Sequence, residues 1–120
     1  MEAVIIMWRK AATAVAALVV TAAGVVLAPT ASAAEPCPAG NLCLYSSTDY
    51  ISMKFKTARR GTCWDLAKYG LDNKILSYDN NLAVWARFYD ADGKNVWNIR
   101  NGGSNANSSA YRGERKVCTD

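Results

Sequence analysis

Residues 70–81 read GLDNKILSYDNN and hold two Asp-Asn pairs, Asp72-Asn73 and Asp79-Asn80, around a short apolar run. Small acidic and amide side chains on both sides of a strand suit two kinds of chemistry. They can hydrogen-bond their own backbone in Asx-turns, or they can offer oxygen ligands to a hard cation such as calcium. Little other chemistry is supplied. The chain has no histidine, and neither G-x-S-x-G nor H-E-x-x-H occurs. Asp90 and Asp92 stand two apart in DADG, which is hairpin-turn chemistry before it is an acid–base pair. The residues therefore argue against an enzyme.

The elements that position these side chains begin after residue 33. Arg9 and Lys10 precede an almost unbroken apolar run over residues 11–28, then Pro29 and the small-x-small sequence Ala31-Ser32-Ala33. That succession predicts a signal peptide over 1–33, removed on export, and one domain over 34–120 that is secreted and extracellular, free of the membrane after cleavage. A domain of this size has a marginal core and calls for covalent staples. Cys37, Cys43, Cys63 and Cys118 all lie within it. In an exported chain an even count reads as two disulfides, with three pairings open.

From residue 34 on, twelve lysines and arginines face nine acidic side chains, a net charge of +3. The charges are scattered, so no nucleic-acid footprint emerges. The densest basic stretch holds Lys54, Lys56, Arg59 and Arg60.

Coarse patterning predicts an all-β domain. NLCLY and YISMKFK read as a hairpin, the second arm alternating Ile51, Met53 and Phe55 against Ser52, Lys54 and Lys56. CWDLAKYG reads as a short helical turn closed by Gly70. KILSY and LAVWARFY read as strands joined by a DNN turn. KNVWNIR follows the DADG turn as a strand, and AYRGERKVC supplies a last one after the polar loop NGGSNANSS.

Two stretches together carry a family resemblance. CPAGNLCLY heads the mature part, and LDNKILS follows about thirty residues later. They resemble the secreted bacterial peptidase inhibitors of βγ-crystallin fold, typified by the Streptomyces metalloproteinase inhibitor. In that family a C-P-x-G-x-x-C-like loop leads into an aromatic strand and hairpin, and an N/D-N/D-x-x-S/T-S element closes the motif. The hairpin matches from Tyr45 to Tyr50, with Ser52 where the family has glycine. The element matches from Asp72 to Ser77, with Leu76 in the hydroxyl position. A second copy is placed at Phe88-Tyr89-Asp90 and residues 104–109, retaining Ser108.

The resemblance implies a βγ-crystallin-like Greek-key sandwich of two motifs, stapled by Cys37–Cys43 and Cys63–Cys118. It implies Asp72, Asn73, Ser77 and Ser108 as candidate calcium ligands, with the turn-forming role preferred and no other cofactor expected. It also implies a secreted, monomeric inhibitor whose partner is an extracellular protease, specifically a metalloprotease. The inhibitory loop falls in the second half, where Lys94, Trp97, Ile99 and Arg100 are the candidate partner-binding residues. The other function weighed is that of a cationic antimicrobial or killer-toxin-like βγ-crystallin protein, acting through the basic stretch at residues 54–60.

Overall fold

The computed structural model describes residues 33–108 and 111–120. The expected signal peptide lies almost wholly outside them. Among the described residues eight strands form: β1 (Leu42–Tyr45), β2 (Met53–Thr57), β3 (Cys63–Asp65), β4 (Ser77–Asn80), β5 (Ala86–Tyr89), β6 (Asn95–Ile99), β7 (Ser104–Asn105) and β8 (Lys116–Thr119). One sheet runs in the order β2-β1-β4-β7 and the other in the order β3-β8-β5-β6, and all pairs are antiparallel. Each half of the chain thus places three strands in one sheet and sends its third strand to the other. This is a two-motif Greek-key sandwich. No helix among the described residues is long and apolar enough to cross a membrane.

Alternation explains β2. Phe55 and Thr57 are buried while Lys54 and Lys56 are exposed. On β1 all four residues are buried: Leu42 and Leu44 lie in the core, while Cys43 is bonded to Cys37 and the Tyr45 hydroxyl donates to the Glu35 carbonyl of the opening segment. Leu42, Leu44 and Phe55 from one sheet meet Ala86, Phe88, Ile99 and Val117 from the other in one apolar cluster.

The β1–β2 connection folds back on itself. Asp49, Tyr50 and Ser52 have φ of 60°, 60° and 61°, a region that favours glycine. Ser52 adopts it in spite of its Cβ, and the Ser46 amide donates to the Ser52 carbonyl at 3.0 Å.

Four sequence expectations need correction. CWDLAKYG is only half helical: Cys63–Asp65 is a strand, and a 3-10 turn covers Leu66–Tyr69, capped by the Asp65 carboxylate and by Gly70 at φ 70°. KILSY becomes a strand only at Ser77, and Asp79 and Asn80 lie within β4 rather than in a turn. LAVWARFY is extended only over Ala86–Tyr89. In the polar loop after β6, Ser104 and Asn105 form β7, paired with β4.

Strand register also moves the second copy of the element. Ser77, which opens β4, is registered with Tyr45 of β1. Lys116, which opens β8, is registered with Tyr89 of β5. The segment matching residues 72–77 is therefore residues 111–116, YRGERK, and Ser104 and Ser108 precede it.

Candidate functional site

The β5–β6 hairpin is shaped by Asp90. Its Oδ1 accepts from the amides of Asp92 and Lys94, both at 2.9 Å, and Gly93 supplies φ 80°. Val96 is the extra residue of a bulge, since Phe88 pairs with Trp97 while Tyr89 pairs with Asn95. Side-chain amides of Asn95 and Asn98 bond each other at 2.9 and 3.3 Å. β6 is the outer strand of its sheet.

Of the four predicted partner-binding residues, Lys94 and Arg100 are exposed at the two ends of β6. The other two face inward. Trp97 stacks on Phe88 at 4.4 Å, meets Tyr78 edge-on at 5.1 Å and lies 3.8 Å from the Arg112 guanidinium. Ile99 is in the core. Both back the strand from within.

The predicted oxygen ligands sit where the two motifs cross. Ser77 is fully buried. Its hydroxyl donates to the Ser47 carbonyl at 2.6 Å and accepts from the Tyr50 amide at 3.1 Å, so it pins the folded hairpin. The Asn73 side-chain oxygen accepts from the Gly113 amide at 2.9 Å, and the Asn73 amide donates to the Glu114 carbonyl at 2.9 Å. Ser108 accepts from Arg112 at 2.7 Å. A groove of about 690 Å³ opens beside this crossing, with Asp72, Lys74 and Leu76 on one side and Tyr111, Gly113 and Arg115 on the other. Among the described residues no group of three or more His, Cys, Asp or Glu could hold a metal ion.

Three structural side chains escaped the sequence reading. Asn80 is fully buried and its amide donates to the carbonyls of Val84, Ile99 and Arg100 at 3.0, 3.2 and 3.1 Å. It thereby holds the end of β6 in place. Asn81 donates to the carbonyls of Cys37 and Pro38 at 3.1 and 3.3 Å, fastening the opening loop. Glu114 is fully buried with neither carboxylate oxygen hydrogen-bonded. Burial pushes its carboxyl above the usual range, against the pull of Arg112 and nearby backbone amides. The signal for Glu114 is its place in YRGERK, visible only once β8 is registered on β5.

The disulfides are Cys37–Cys43, which closes the opening loop, and Cys63–Cys118, which joins directly paired residues of β3 and β8. No curated protein and no solved structure matches the chain. A family model described as peptidase inhibitor family I36 matches residues 30–98. That span runs from before the opening loop through most of β6, more than half of the chain. The chain belongs to peptidase inhibitor family I36, and is by that membership an inhibitor rather than an enzyme.

Proposed function

We propose that the protein is exported, loses residues 1–33, and acts outside the cell as an inhibitor of a metalloprotease, offering strand β6 and its flanks to the enzyme's cleft. The observation that carries this reading is the placement of β6. Among the described residues it is an edge strand with an unpaired side, already extended. Trp97 and Ile99 anchor it from behind and Asn80 ties its end. A cleft that binds substrate as a strand would meet a segment whose ordering entropy is already lost, which is where inhibitor affinity comes from. Lys94 and Arg100 are the exposed charges that would contact the enzyme.

The test is inhibition of a panel of secreted zinc, serine and cysteine peptidases by the protein, Lys94→Ala and Arg100→Ala. The reading expects a zinc peptidase to be inhibited and each variant to weaken inhibition roughly tenfold, about 1.4 kcal/mol. Inhibition confined to serine or cysteine peptidases would overturn the metalloprotease assignment. Full inhibition by both variants would overturn the β6 assignment.

A second reading has one observation in its favour. Lys54 and Lys56 on the outer strand β2, with Arg59 and Arg60 after it, are all exposed. A cationic antimicrobial protein would use such a stripe against an anionic envelope. Growth inhibition by the protein, abolished by Lys54→Glu with Arg59→Glu, would favour it over protease inhibition.

A further inference from the structure

We propose that the α-ammonium group of a chain beginning at Ala34 seats beside the Asp79 carboxylate, so that removal of the leader completes the fold. The inference rests on the cleavage after Ala33 proposed above. The bond between Ala33 and Ala34 is hydrolysed by the exporting peptidase. Water adds across it, leaving a carboxylate on Ala33 and an ammonium on Ala34.

The position of residue 34 is set by its neighbours. The Glu35 amide donates to the Tyr50 carbonyl at 2.7 Å, and the Tyr45 hydroxyl donates to the Glu35 carbonyl at 2.6 Å. Glu35 is thus held on both sides of its backbone. Two residues on, Cys37 is tied to Cys43 of β1. With both points fixed, Ala34 lines a cavity of about 320 Å³ with Pro36, Cys37, Tyr45, Tyr50 and Asp79.

Among the described residues that cavity has no cation. Among the described residues Asp79 is its one lining carboxylate, and no lysine or arginine lines it. The titratable groups around it are Tyr45, Tyr50, Asp79 and Glu35, all of which are neutral or negative. Burial pushes the Asp79 carboxyl up, opposed by a hydrogen bond from Asn81. Burial first, then the charges of Asp79 and Glu35, push Tyr45 up to about 12. In the uncut chain the nitrogen of residue 34 is a neutral amide. Cleavage converts that nitrogen into the missing positive charge at a place the fold has already chosen. Beside a partly desolvated carboxylate the attraction on that ammonium is screened less than between two fully exposed charges.

The test uses the oxidised secreted chain, residues 34–120, with its amine free or Nα-acetylated, in the natural sequence and in Asp79→Asn. The free-amine form is expected to melt about 4 °C above the acetylated form at pH 7. The gap should close above about pH 9 as the amine deprotonates, and it should be absent in Asp79→Asn. The α-amine should titrate above its ordinary range of about 7.7–8.0. Equal melting of the free and acetylated chains, or a gap that Asp79→Asn leaves intact, would overturn the inference. Intact mass of secreted material tests the cleavage separately: an N-terminus elsewhere than Ala34 overturns the processing reading.

Discussion

Glu114 stands in the second motif where Ile75 stands in the first. Each lies two residues before its motif's last strand, which Ser77 and Lys116 open in matching registers. Both are buried to within 1%. One motif fills the position with a hydrocarbon and the other with a fully buried carboxyl, whose desolvation outweighs the pull of Arg112 and nearby backbone amides.

The exchange Glu114→Ile should therefore stabilise the domain, by about 1–3 kcal/mol at neutral pH, the cost of an unsatisfied buried polar group. The pH dependence has a definite sign. The folded-state pKa is raised above the unfolded value, so the folded state holds its proton longer. Stability is full below the unfolded value of about 4.3 and falls as pH rises through the folded one. Urea unfolding across this range should show that loss in the natural chain, with a smaller slope in the variant. A variant less stable at pH 7, or with the same slope, would contradict the assignment.

Ser77 and Ser52 should give changes of opposite sign. Ser77→Ala leaves the Ser47 carbonyl and Tyr50 amide without their partner, and should cost about 1–3 kcal/mol. Ser52→Gly relieves a side chain held at φ 61°, and should gain about 1 kcal/mol. Thermal unfolding of both variants checks the pair. Loss of stability in Ser52→Gly would show that the left-handed conformation carries no strain.

The hairpins were legible in the sequence because local chemistry decides them. Alternation over residues 51–57 predicts the buried Phe55, and DADG predicts the Asp90 turn. The run Asp79-Asn80-Asn81 was not legible as the end of a strand. Its composition favours turns, and the deciding factor is distant: Asn80 satisfies three carbonyls that lie near it only in the folded chain. Trp97 and Ile99 share a face by period two, but only the stack on Phe88 fixes that face as the inner one. By residue type SNANSS resembles the second element, whereas strand register places it at YRGERK, which keeps none of the first copy's hydroxyl or amide side chains at their positions.

The two disulfides should contribute unequally. Cys37 and Cys43 are 6 residues apart, Cys63 and Cys118 are 55 apart. Loop-closure entropy gives about 2.4 kcal/mol for the short bridge and about 4.2 kcal/mol for the long one. The long bridge also joins the third strand of the first motif to the last strand of the second. Replacing Cys63 and Cys118 together by Ser should lower the melting temperature well beyond the loss from replacing Cys37 and Cys43. Equal losses would mean that the short bridge acts mainly by holding the N-terminal segment.

Calcium should stabilise the protein little, because the oxygens at the motif crossing already have partners. The Ser77 hydroxyl serves Ser47 and Tyr50, the Asn73 oxygen serves Gly113, and the Ser108 hydroxyl serves Arg112. Leu76 occupies the position where the family pattern has a hydroxyl. A cation arriving at Ser108 would also meet the Arg112 guanidinium, and calcium needs several converging oxygens, some of them charged. Melting curves with EDTA and with about 1 mM calcium, a concentration at which weak extracellular sites load, should differ by no more than about 1 °C. Occupancy at a hundred times Kd would instead add about 2.7 kcal/mol, a rise of more than about 10 °C for a domain of this size. A rise of that order would overturn the turn-forming role assigned to Asp72, Asn73 and Ser77 and make the crossing a cation site.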